Sequence, residues 1–104
     1  MAASQRGHPE GIKVLVQHGA NTDLRDRRGI TALMRASLSG HHDCIEFLVH
    51  HKANTNLQNN KGNTALIDAS GLGNLECINI LVEHNADTNI QTSKGHTALV
   101  IKNA

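Results

Sequence analysis

The chain holds 104 residues, 38% of them hydrophobic, with a formal net charge of +1, two cysteines and Phe47 as its one Phe, Tyr or Trp. That length supports one domain with an aliphatic core of modest depth. The same figures argue against several functions: there are no rings for stacking nucleobases, no basic field for nucleic acid or an anionic membrane, no apolar run fit for a signal peptide or a bilayer span, and too few cysteines for a disulfide scaffold. A soluble protein in an intracellular compartment, cytoplasmic or nuclear, is expected.

The chain repeats itself. "GITALMRAS" from Gly29 recurs as "GNTALIDAS" from Gly62 and "GHTALVIKN" from Gly95, each offset by 33 residues, and residues 29–61 laid over 62–94 give 17 identities without a gap. The first quarter obeys the same period, because "GHPEGIKVLVQHGANTDL" (7–24) aligns with "GHHDCIEFLVHHKANTNL" (40–57) and "GNLECINILVEHNADTNI" (73–90). A fixed period of this length is the signature of stacked structural units. The expected division is a partial unit over 1–28, complete units over 29–61 and 62–94, and a partial unit over 95–104.

The 1–28 unit opens at the end of a first helix, broken at Gly7. A second helix follows, with His8 as N-cap, Pro9 at the first helical position, where no amide partner is lost, and Glu10 against the positive helix end. Ile12, Leu15 and Val16 form an i, i+3, i+4 stripe that must face a neighbour. His18 lies in the last turn, where an imidazole can meet unpaired carbonyls, and Gly19 follows the helix. Asn-rich sequence then leads to a tight turn at Gly29, predicting an extended, hairpin-like loop.

The 29–61 unit repeats this pattern with a first helix capped by Thr31 and ended at Gly40, and a second one capped by His41, started by His42 and carrying Asp43 at its positive end. Ile45, Leu48 and Val49 form its stripe, and His51 and Lys52 occupy the columns of His18 and Gly19. The 62–94 unit substitutes Thr64, Gly73, Asn74, Leu75 and Glu76, then Ile78, Leu81 and Val82, then His84 and Asn85. Thr97 starts a further first helix in the 95–104 unit. Neither end of the stack carries a polar cap, so the stripe of Ile12, Leu15 and Val16 is expected to open to solvent unless further repeats cover it, which suggests a segment of a longer array.

A 33-residue unit reading "GxTALxxAS", "GHxxxIxxLV" and "ANTN" resembles the ankyrin repeat family over essentially all 104 residues. The resemblance implies an all-α solenoid of stacked helix-turn-helix units with hairpin-like loops. Departures are Ala32, Ala65 and Ala98 where the family usually has Pro after the Thr, and Met34, Ile67 and Val100 where it usually has His. Apolar contacts should replace that histidine's polar link.

"HHDCIEFLVHH" (41–51) looks like a metal or catalytic centre, but its columns assign most of it to the repeat. Cys44 and Cys77 occupy one column of adjacent units, about 8–10 Å apart if set by helix packing, beyond the reach of about 7 Å that a disulfide allows. His41 and His51 lie at opposite ends of one helix, whereas zinc needs convergent ligands. His42, Glu46 and His50 fall along one side of that helix, its exposed back. There is no phosphate-binding glycine loop and no convergent acid–base pair, so neither an enzyme nor a cofactor is expected.

Surface recognition remains. Loop tips and the exposed side of the first helix are the surfaces that ankyrin proteins typically use to bind other proteins. On this chain the tips are Arg27, Arg28, Asn60, Lys61, Ser93 and Lys94; the helix side offers Ile30, Leu38, Ser39, Asn63, Leu72 and His96, with Gln5 and Arg6 from the partial first unit. Tip segments hold Arg25, Arg27, Arg28, Lys61 and Lys94 against Asp26, while the second helices carry an acidic excess. The expected partner is therefore another protein, through an acidic or polar segment, with no nucleic acid and no membrane. A metal-binding protein using the His-rich helices and a purely structural scaffold segment are the alternatives.

Overall fold

The computed structural model describes residues 9–100. The expected break at Gly7, the cap His8, the side chain of Glu10, and Gln5 and Arg6 of the candidate surface lie outside the described residues. Within them are five helices, α1 (Pro9–Gln17), α2 (Ala32–Ser39), α3 (His42–His50), α4 (Ala65–Leu72) and α5 (Leu75–Glu83), and no strands. α2 pairs with α3 and α4 with α5 inside each unit. Between units α2 packs on α4, and α1, α3 and α5 stack in order, giving an inner and an outer helix layer.

Each boundary has a local chemical cause. The hydroxyls of Thr31 and Thr64 accept the backbone N–H groups of Met34 and Ile67 at 3.2 Å, so α2 and α4 begin where the sequence pattern places them. Both end on a left-handed glycine, Gly40 and Gly73, after which His41 and Asn74 donate their N–H groups to Ala36 and Ala69 and close the last turn. Asn74 caps α5 through its side chain, which accepts the Cys77 N–H at 3.1 Å. His41 does not cap α3 in this way, contrary to the sequence expectation: the His41 backbone carbonyl itself accepts the Cys44 N–H at 3.1 Å, and imidazole is a poor substitute for the short Asn, Ser or Thr oxygen.

The outer helices close alike. Lys52 and Asn85 are left-handed, with φ of 66° and 68°, and the following Ala53 and Ala86 donate to Leu48 and Leu81 at 3.0 Å. His18, His51 and His84 turn Nδ1 onto the carbonyls of Val14, Phe47 and Ile80 at 2.8, 3.0 and 2.9 Å. A carbonyl only accepts, so each Nδ1 carries hydrogen and the ring satisfies a last-turn carbonyl, as the column implied.

The core lies between the layers, where Leu33, Met34, Ala36, Cys44, Ile45, Leu48, Leu66, Ile67, Ala69, Cys77 and Leu81 are almost wholly buried. Each buried Leu or Ile contributes about 1.5–3 kcal/mol relative to an exposed one. Met34 and Ile67 are both buried, Met34 within the hydrophobic cluster, and both cysteines are free. The expected opening of the first stripe is met at one position of three: Leu15 is 59% exposed while its counterpart Leu48 is 1% exposed, but Ile12 is buried in the core and Val16 packs against it; at the other end Val82 is 46% exposed. After Thr97, the described residues 98–100 form a hydrogen-bonded turn, and the rest of the expected helix lies outside the described residues.

Candidate partner-binding surface

The loop tips are built by one column of oxygen acceptors. Asp26 Oδ1 accepts the N–H groups of Arg28 and Ile30 at 2.8 and 2.9 Å; Asn59 Oδ1 accepts those of Lys61 and Asn63 at 2.9 and 3.0 Å; Thr92 Oγ1 accepts those of Lys94 and His96 at 3.2 and 3.1 Å. Across each tip the arms also pair through backbone, Asp26 to Ile30, Asn59 to Asn63 and Thr92 to His96. The glycine in each turn, Gly29, Gly62 and Gly95, takes a positive φ, so the chain reverses within a few residues.

Adjacent tips are bonded to one another. Asn60 donates its N–H to the Arg28 carbonyl at 2.9 Å and Ser93 donates to Lys61 at 3.0 Å, while Asn60 Nδ2 reaches the Arg27 carbonyl at 3.0 Å. Arg25 Nη2 reaches the Gln58 carbonyl at 3.3 Å, and Gln58 Nε2 bridges the carbonyls of Gly62 and Gln91 at 2.9 Å each. At the loop bases Asp23 and Asn56 accept the N–H groups of Asn54 and Asp87 in the next unit. The row of tips is held through backbone as well as side chains.

Asp26 spends its charge internally. Its carboxyl lies below the usual carboxylate range because of the Ile30 N–H above all, with the Arg28 N–H and the Arg35 guanidinium, 3.2 Å from Oδ2, also favouring the ionised form against desolvation. Arg27, Arg28, Lys61 and Lys94 are exposed and enter no ion pair among the described residues. Positive charge at the tips therefore faces solvent.

The sequence-selected positions separate into three places. Arg27, Arg28, Asn60, Lys61, Ser93 and Lys94 are exposed along the tip row; Ile30, Asn63 and His96 are half-buried where the tips meet the inner helices; Leu38, Ser39 and Leu72 are exposed at the far ends of α2 and α4. Eight residues at 1.5 Å rise put roughly 10 Å between the two ends of α2, so the last group does not adjoin the tips.

Sequence reasoning missed two features. The acceptor column Asp26, Asn59, Thr92 was visible as three side-chain oxygens, each three residues before a glycine. Asp68 had no such signal, because its column reads Arg35, then Asp68. Only 8% exposed on α4, Asp68 accepts a hydrogen bond from Asn63, but Oδ2 is buried without a partner, and burial pushes its carboxyl up to about 7 despite Asn63.

On the outer face His42 Nδ1 lies 3.2 Å from Glu76 and Nε2 3.5 Å from Asp43, so His42 links two units. His50 lies 4.0 Å from Glu46, with its ring 5.2 Å from that of His84. Among the described residues no three His, Cys, Asp or Glu side chains are grouped to hold a metal ion. No described helix is long and apolar enough to cross a membrane.

A search of curated proteins finds no match. Ankyrin repeats, in three copies, match residues 1–92. With the 33-residue period, the paired helices, the stacked layers and the bonded tips all in place, the chain belongs to the ankyrin repeat family.

Proposed function

We propose that this chain binds an acidic or polar segment of another protein along the tip row and the adjoining inner-helix face. Ankyrin repeats are generally protein–protein interaction modules and typically not enzymes, so the partner's chemistry is the open part. The observation that carries the reading is that Arg27, Arg28, Lys61 and Lys94 stand exposed on mutually bonded tips without an internal counter-charge among the described residues. Arginine and lysine held in this way offer charge-assisted hydrogen bonds to carboxylates. Asn60 and Ser93 add polar contacts between them, Ile30, Asn63 and His96 line the approach to the inner helices, and Leu38, Ser39 and Leu72 form a second contact at the far helix ends. In this reading the units are 1–28, 29–61, 62–94 and 95–104, the protein is intracellular, and it uses neither nucleic acid nor membrane.

The test is a variant carrying Arg27→Glu, Arg28→Glu, Lys61→Glu and Lys94→Glu, compared with the unaltered chain in affinity capture. Loss of the specific partners with an unchanged circular dichroism spectrum is the expected result. Retention of the same partners at the same salt concentration overturns the proposal.

A further inference from the structure

We infer that the tip row recognises an extended acidic segment whose carboxylates recur at every third residue, one over each repeat. This inference rests on the function proposed above and specifies its partner. It starts from the columns. Arg28, Lys61 and Lys94 are equivalent positions of successive units, each immediately before the turn glycine, so the stack presents one exposed cation per repeat in a row.

The spacing of that row follows from hydrogen bonding. Each hairpin has two arms joined by backbone, as Asn59 is to Asn63, and each hairpin is joined to the next by backbone, as Asn60 is to Arg28 and Ser93 to Lys61. Two such steps of about 4.8 Å set roughly 10 Å per repeat. Packing of α2 on α4 sets the same scale independently, because helices in contact lie about 8–10 Å apart. An extended chain in the polyproline II conformation rises about 3.1 Å per residue with three residues per turn, so every third side chain returns to the same face after about one repeat.

The row is also selective in what it leaves available. The Arg25 guanidinium is engaged by the Gln58 carbonyl and the Asn60 amide by the Arg27 carbonyl, whereas Arg28, Lys61 and Lys94 form their internal contacts through backbone. Arg27 doubles the charge at one end, so acidic density in the partner is greatest there. A helical partner would meet the same row only with acids about seven residues apart, which advance roughly 10.5 Å on one face, so a three-residue spacing belongs to an extended partner.

The test uses fluorescence anisotropy at low salt with two labelled peptides of equal composition on a Ser/Thr background. One carries three glutamates at every third residue and the other carries them consecutively. Consecutive glutamates reach one rung of the row, spaced ones reach three, and each added exposed pair contributes about a 1.5- to fivefold factor. The spaced peptide is expected to bind about fivefold tighter or more, and Lys61→Ser, which removes one of its two added pairs, is expected to cut that advantage to roughly its square root, about twofold for a fivefold one, while leaving the consecutive peptide's affinity nearly unchanged. Equal affinities, or no measurable binding of the spaced peptide, overturn the spacing. If the affinities are equal yet both fall with the fourfold charge reversal, the acidic-segment reading stands without the spacing; if neither responds to charge reversal, both fall.

Discussion

Asn60 donates its backbone N–H to the carbonyl of Arg28 at 2.9 Å, across the boundary between two repeats. Through this bond and its counterpart from Ser93 to Lys61, the tips form a continuous ledge. A charged row on such a ledge keeps its spacing when a partner arrives, so less ordering entropy opposes binding.

The close approach of tips makes one glycine more demanding than its equivalent. Gly62 and Gly95 share a φ of 80°, but a Cβ on Gly62 would lie 2.7 Å from the Ser93 backbone nitrogen, while one on Gly95 would meet nothing within 4 Å. Gly95→Ala should cost about 1–2 kcal/mol for left-handed strain alone. Gly62→Ala should cost about 1–3 kcal/mol more, because the Thr92–Ser93 backbone of the next tip must move. Urea unfolding midpoints of the two variants check this; equal losses would mean that the tips are not in contact.

Lys52 occupies a left-handed position, at φ 66°, in the column of Gly19. Lys52→Gly removes the Cβ strain there and is expected to stabilise the fold by up to ~1 kcal/mol, offset in part by the extra freedom of glycine in the unfolded chain. Thermal melting measures it. An unchanged or lowered midpoint contradicts the assignment of strain to this residue.

Asp68 gives a pH dependence of definite sign. Its carboxyl is pushed from an ordinary 3.8 up to about 7 by burial, so the folded state holds a proton that the unfolded chain releases. Its contribution to stability is therefore fully present below about pH 4 and is lost as pH rises through about 7. Asp68→Asn mimics the neutral form. The variant should match the unaltered chain at about pH 4 and exceed it by up to about 3–4 kcal/mol near pH 8. Melting midpoints at the two pH values decide it; a constant difference between the proteins refutes the buried carboxyl. Asp26, lowered by the Ile30 N–H, works in the opposite sense, losing its contribution as pH falls through the carboxylate range.

Periodicity made the frame legible because Thr31, Gly40 and the Ile45, Leu48, Val49 stripe recur with the same chemistry in each unit, and local chemistry of that kind fixes helix ends. It was less informative where a column changes character. His41 and Asn74 share a column, yet only the Asn side chain caps. His42 was left as an unassigned residue on the outer face, and its contact with Glu76 depends on the relative placement of two units. Asp68 replaces an arginine in its column, so no pattern announced its buried, half-satisfied carboxyl. For the binding surface the sequence located the cations, but the bonds between tips, which make a row of them, depend on how neighbouring units pack.

In the proposed complex the tip row, not the acidic outer face, meets the partner. Acetylation of lysines followed by mass spectrometry, with and without a captured partner, distinguishes the two faces, because Lys61 and Lys94 lie on the tips and exposed Lys52 lies at the end of an outer helix. Bound partner is expected to shield Lys61 and Lys94 while Lys52 reacts as in the free chain. Shielding of Lys52 with Lys61 and Lys94 unchanged would contradict it.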